Sequence, residues 1–243
     1  MNVKLVIEYD GTRYHGYQIQ ANSNTVQEEL EKVLRRLVCG DFTLYCAGRT
    51  DTGVHARWQV CNFRCQGLRV EKEKLTEAMN GLLPDDISVR SADLVSDDFH
   101  ARFSAKERTY RYVILNSSFK SALLSRYSWH VRTRLELDKM SESAQFLIGT
   151  HDFRAFTDAS YPDSTVRNVY TVDIRRKDEL INIDICANAF TRSMVRNIVG
   201  TLTEIGKGKR SIEEMQKILI SRDRQNAGVC APAKGLFLWE IKY

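Results

Sequence analysis

Val3, Leu5, Ile7 and Tyr9 fall on one side of an extended chain, the period-two pattern of a strand with one buried face. Thr25 and Glu28 have capping-box spacing, and Val26, Leu30, Val33, Leu34 and Leu37 then recur at helical intervals, predicting a helix to about Val38. Strands are expected at 42–47 and 57–65, and a helix near 71–83 from Leu75, Ala78, Met79 and Leu82. Pro84 marks its end before a strand at 87–95.

After a polar stretch at 96–106 the pattern restarts in Arg108–Leu115, aromatic and β-branched as a central strand would be. The domain boundary is placed there, giving an N-terminal domain over residues 1–104 and a C-terminal domain over residues 105–243. The C-terminal domain is expected to carry a helix near 138–148 and strands at 167–176 and 180–187. A helix over about 190–205 and another from Ser211, where Ser211 and Glu214 form a second capping box, follow before a closing strand at 236–241. The expected fold class is α+β: two halves with mixed, mainly antiparallel sheets, helices on one sheet face and the other face open to a ligand. No sequence-level repeat or low-complexity stretch interrupts them.

Composition narrows the function classes. The 243 residues are 43% hydrophobic and 28% charged, ordinary values for a folded chain. The N-terminus lacks the form of a signal peptide, and no apolar run approaches membrane-spanning length, so a cytoplasmic address with no membrane contact is expected. Six scattered cysteines without a close CxxC pair are expected to be reduced thiols. Thirty-six Lys and Arg against 31 Asp and Glu give a net charge of +5. The basic residues gather around 102–111 and 192–210, which fits one basic face for a polyanion.

The segment Ala47-Gly48-Arg49-Thr50-Asp51-Thr52-Gly53-Val54-His55-Ala56 sets an Arg, an Asp and a His between two predicted strands. Glycines there permit left-handed backbone and close approach by a ligand, so the loop can present Asp51 at a strand end. A tight turn whose polar side chains serve only the backbone is the plainer alternative. The GRTDTGVHA sequence resembles the active-site signature of the TruA family of tRNA pseudouridine synthases. Other blocks agree in order: Tyr9-Asp10-Gly11 with Gly16-Tyr17-Gln18-Ile19-Gln20, Ser104–Tyr112, Gly149–Phe153, Met194–Gly200 and Ala231–Leu236. Tyr14, Tyr17, Thr191 and Ser193 depart from the residues usual in that family, which puts local packing of the first loop and contacts near 193 in question.

The resemblance implies ferredoxin-like, RNP-like halves around a central RNA-binding cleft. The enzyme it implies is an isomerase that turns uridine into pseudouridine in the tRNA anticodon stem-loop, around positions 38 to 40, acting as a homodimer. It assigns the nucleophile to Asp51, an ion pair with Asp51 to Arg196, and stacking on the target base to Tyr110. Arg49 would hold a phosphate or fill the space of the flipped nucleotide, since a guanidinium both stacks and forks onto phosphate. Arg108 and Arg111 join Arg49 and Tyr110 as substrate contacts. Tyr112 shares a strand face with Tyr110 and is read as core, and neither His55 nor His151 is given a catalytic role.

Breaking N1–C1′ and rejoining the base through C5 changes no oxidation state and consumes no energy source, so no cofactor and no metal are expected. Nucleotide-binding glycine loops are missing from the sequence, as are clustered metal-ligand residues, which weighs against a metal-dependent nuclease. The rival from another class is a non-catalytic RNA-binding module on the same scaffold, which leaves Asp51 without a purpose.

Overall fold

The computed structural model describes residues 1–158 and 160–243. The chain folds as two compact units, 1–106 together with 238–243, and 107–237. The sequence reading keeps the end of the chain with the second half; the last strand's residues from 238 on lie with the first.

In the first unit, β1 (Asn2–Tyr9) lies between two antiparallel neighbours, β6 (Ile87–Val95) and β4 (His55–Arg64). The short β3 (Leu44–Cys46) also pairs with β4, and β2 (Val38–Cys39) pairs with β5 (Gly67–Leu68) in a ladder of two residues. Helix α1 (Val26–Leu37) starts as its capping box predicts, with the Thr25 hydroxyl accepting the Glu28 N–H at 3.4 Å. It buries Val26, Leu30, Val33, Leu34 and Leu37. Helix α2 is only Leu75–Asn80, shorter than the expected 71–83. Its end is fixed by Asn80, whose side chain bonds both the C=O and the N–H of Val89 in β6.

In the second unit, β7 (Glu107–Leu115), β11 (Leu180–Ala187), β10 (Val166–Lys177) and β9 (Gly149–Asp152) form an antiparallel series in that spatial order. The two-residue β8 (Trp129–His130) runs parallel beside β7. Helix α3 (Leu137–Ala144) lies against β10 and α4 (Met194–Gly206), and α5 (Glu214–Ser221) lies against α3. Two helix starts come later than expected. Ser193 has a left-handed φ of 61°, which keeps 190–193 out of α4. Glu214 does accept the Ser211 N–H at 2.7 Å, yet α5 itself begins at Glu214.

Strand β12 (Leu236–Lys242) closes the chain, and its residues from 238 flank β4 in the first unit. Both units bury apolar cores, Leu5, Ile7, Phe63 and Leu34 in the first and Tyr112, Ile183, Phe156 and Ile198 in the second. Full burial of an aliphatic or Phe side chain contributes about 1.5–3 kcal/mol. The architecture is α+β with mainly antiparallel strands and flanking helices. No described helix is long and apolar enough to cross a membrane, and the six cysteines are free thiols.

Candidate active site

Strand β1 ends where β4 begins, with Tyr9 opposite Ala56 across a register shift after Ile7. Bulges of this kind re-aim side chains at strand ends. The loop 47–54 emerges at this edge and is held mainly by peptide groups. Ala47 N–H donates to Val60 O at 2.8 Å, Tyr17 N–H to Thr50 O at 3.1 Å and Gly53 N–H to Tyr14 O at 3.3 Å. Val54 N–H closes a turn on Asp51 O at 3.1 Å, with Gly53 at φ +75°, a conformation that favours glycine at this corner.

Two side chains complete the clamp. The Tyr9 hydroxyl is 2.8 Å from the Thr50 hydroxyl in a buried contact. The buried Gln59 donates its Nε2 to Gly48 O at 2.6 Å. Thr50 is buried, Asp51 half-buried and Arg49 exposed, so burial changes from one residue to the next along the loop. His55 is buried at the start of β4, where its Nδ1 lies 3.0 Å from both the Gly11 N–H and Asp10 Oδ1. It links β4 to the turn after β1.

The two tyrosines that depart from the family pattern find partners in the first unit. Tyr14 is buried and donates its hydroxyl to Asp86 Oδ1 at 2.6 Å; burial, together with this carboxylate, raises its pKa well above the ordinary phenol value. Tyr17 lies in the core with its hydroxyl 3.0 Å from the Cys61 thiol, and burial pushes its pKa up strongly. These contacts fix the first loop, 10–17, against which the loop 47–54 rests.

The other expected site residues belong to the second unit. On β7, Arg108, Tyr110 and Tyr112 point to the buried side. Tyr110 meets the edge of Phe190 with ring centroids 5.0 Å apart, and Arg108 donates to Asn188 O at 2.6 Å. Tyr112 is core, its hydroxyl donating to Pro232 O at 2.7 Å. Arg111 faces the opposite way and makes a bidentate pair with Asp184, the residue across from it on β11, at 2.7 Å for both bonds. The hydrogen bond to Asp184 raises the Arg111 pKa.

Arg196 stands on α4, whose Val195, Ile198, Val199 and Leu202 are buried as the periodicity requires. Its Nε donates to Ala231 O at 2.7 Å, and Ala231 N–H returns a bond to Arg196 O at 3.1 Å. His151 contacts Ile148 O at 2.8 Å through Nε2. Asp152 is desolvated, but the Thr165 hydroxyl, the Arg154 N–H and Arg222 outweigh that and lower its pKa.

The sequence reading did not single out Tyr9, Thr50 or Gln59 as supports of the Asp51 loop. Tyr9 and Thr50 lie inside the two quoted motifs, and that adjacency is the signal that could have paired them. Gln59, a polar residue next to the apolar pair Val60 and Cys61 in its strand, carries a weaker one. Among the described residues, no three His, Cys, Asp or Glu side chains gather as metal ligands do.

The family model described as tRNA pseudouridine synthase matches residues 5–104 and 143–243. Full-length relatives agree. The tRNA pseudouridine synthase A of Thermoanaerobacter sp. (strain X514) is 48% identical over 243 residues, covering 100% of this chain and 99% of the relative. That of Acetivibrio thermocellus is 44% identical over 100% of this chain and 99% of its own. The Histophilus somni (strain 2336) enzyme is 46% identical over 100% of this chain and 90% of its own. With the motif blocks in order, the matched residues spanning most of the sequence and relatives 44–48% identical along the whole chain, the chain belongs to the TruA family of tRNA pseudouridine synthases, which are isomerases.

Proposed function

We propose that this isomerase acts on uridines of the tRNA anticodon stem-loop, at positions 38 to 40, with Asp51 as nucleophile. The observation that carries the reading is the loop 47–54: hydrogen bonds to three neighbouring segments set the turn that begins at Asp51, at the end of a β-sheet. The chemistry breaks N1–C1′, turns the uracil, forms a bond from C5 to C1′ and releases the C5 proton. A carboxylate meets the need for a nucleophile at sugar or base. To act it must remain ionised while base and protein exclude water, and desolvation opposes ionisation, so a cation has to balance it. The family resemblance gives that role to Arg196.

Within this reading Tyr110 stacks on the target base and can help remove the C5 proton. Arg49 occupies the place of the extruded nucleotide or holds its phosphate, as enzymes acting on paired bases must first take the base out of the stack. Arg108 and Arg111 serve RNA contact, with Asp184 fixing the direction of the Arg111 fork. The net charge of +5 supports attraction to the RNA backbone. The acting form is proposed to be a cytoplasmic homodimer.

Tritium release from tRNA transcribed with [5-³H]uridine, with neither metal nor nucleotide added, tests the assignment. Asp51→Asn is expected to abolish release while tRNA binding persists. Release at the wild-type rate by this variant would overturn the role of Asp51.

A further inference from the structure

Next to the Asp51 loop, the first unit carries aromatic surface that its core does not use. Phe103 is 76% exposed and Tyr45 39% exposed. Between them lies His100, its ring centroid 4.6 Å from that of Tyr45 and 4.5 Å from that of Phe103. The Arg102 guanidinium sits 5.5 Å from the Phe103 ring centre. Three rings in series with a cation at one end, open to solvent, cost hydration that a monomer has no folding reason to accept.

The segment bearing these rings is tied firmly. Asn62 of β4 accepts the Ala101 N–H at 2.8 Å, and the Tyr243 hydroxyl donates to Ala101 O at 2.8 Å. Asn2 donates to both Ser96 O and Phe99 O at 2.9 Å. His100 Nδ1 accepts the Arg102 N–H at 3.1 Å, which leaves its other nitrogen to carry the proton of the neutral ring. Burial lowers the His100 pKa and favours that neutral form. Phe103 is thus presented from a fixed turn.

Its place is beside the reaction loop. Tyr45 is followed directly by Cys46, and the charges of both Arg49 and Arg102 act on the Cys46 thiol, whose pKa burial nevertheless pushes up to about 11. Two guanidiniums and an aromatic series therefore adjoin the chain segment that leads into Asp51.

We propose that Tyr45, His100 and Phe103, with Arg102, form a stacking platform for an unpaired base of the RNA substrate next to the uridine being isomerised. This rests on the reading of the Asp51 loop as the reaction centre. Every nucleobase has a π-face, so a ring ladder flanked by arginine accepts an unstacked base without demanding its identity, while the cation meets the adjoining phosphate. A fully paired helix offers no such face.

Binding is measured in the Asp51→Asn background, so that affinity is read without turnover. Phe103→Ala and Phe103→Leu are expected to raise the Kd for tRNA about tenfold or more, the usual scale for one stacked base. Phe103→Trp is expected to keep wild-type affinity, and its added fluorescence to be quenched by tRNA but not by a fully paired RNA duplex of equal length. An unchanged Kd in Phe103→Ala, a Leu variant that binds as wild type, or a Trp variant that tRNA leaves unquenched overturns the platform. So does a change of assembly state in Phe103→Ala with tRNA affinity per chain unaltered, which would make the ring a contact between copies. Retained turnover in Asp51→Asn alone would instead overturn the reaction centre.

Discussion

Loop 47–54 in the first unit and segment 224–231 in the second each hold a residue of the proposed chemistry, by opposite means. The loop is fixed mostly through peptide groups, Ala47 to Val60, Tyr17 to Thr50, Gly53 to Tyr14 and Val54 to Asp51. The segment is strapped to α4 by side chains: Asn197 Oδ1 accepts from Arg224 at 2.9 Å, Thr201 Oγ1 from Gly228 N–H at 2.9 Å and Glu204 Oε1 from Val229 N–H at 3.2 Å. Arg196 adds its bond to Ala231 O. Peptide holding separates the position of Asp51 from the chemistry of its carboxylate. In the strap the two are joined, because the Arg196 guanidinium that grips the chain at Ala231 O is also the group proposed to supply the charge.

Both have a steric weak point where a glycine lies against their backbone: a Cβ at Gly11 would sit 2.0 Å from Val54 O of the loop, and the strap's contact is tighter still. A Cβ added at Gly200 would sit 1.6 Å from Val229 O and 2.8 Å from Val229 C, both backbone atoms that cannot swing away. Gly200→Ala is expected to produce the largest loss, about 3 kcal/mol or more, since overpacking of this severity forces the backbone apart. Chemical denaturation measures it. A Gly200→Ala protein as stable as wild type would mean that the segment is not held against α4.

Arg196→Ala comes next, and it should move two readouts together. Stability falls by about 1–2 kcal/mol as Ala231 O loses its charge-assisted donor. Turnover falls about a hundredfold as the proposed charge partner of Asp51 disappears. Melting curves and tritium-release rates on the same preparations check this, with Arg196→Lys restoring some of the rate through its charge but less of the bond geometry. Loss of rate with no loss of stability would separate the two duties and break the contrast with the loop.

Local patterns made much of the fold legible. The alternation of Val3, Leu5 and Ile7, the capping box at Thr25 and the apolar stripe of α1 each rest on neighbours within one or two turns. The polar, glycine-bounded stretch around Asp51 was legible as a loop for the same reason. What stayed hidden depends on distant partners. Asn80 ends α2 by bonding Val89, Asp184 claims Arg111 through the register of β7 on β11, and Gln59 reaches Gly48 across a strand turn. Two-residue ladders such as β2 with β5 carry too few residues for a period to appear.

The smallest predicted effect probes the loop itself. The Tyr9 hydroxyl braces the loop at Thr50, the residue just before Asp51. Tyr9→Phe keeps the ring in its buried place and leaves every peptide bond of the clamp available, so stability is expected to fall by only about 1 kcal/mol. The Thr50 backbone, held through its carbonyl by Tyr17 N–H, keeps its course, while the side-chain brace beside Asp51 is lost. The rate should then drop a few-fold, about 1 kcal/mol in activation free energy, with the KM for tRNA unchanged, because Tyr9 is buried. Steady-state kinetics over a tRNA concentration series separates the two parameters. A kcat equal to wild type would show that peptide groups alone set the carboxylate; a stability loss as large as that of Arg196→Ala would show that the loop, like the strap, depends on its side chains.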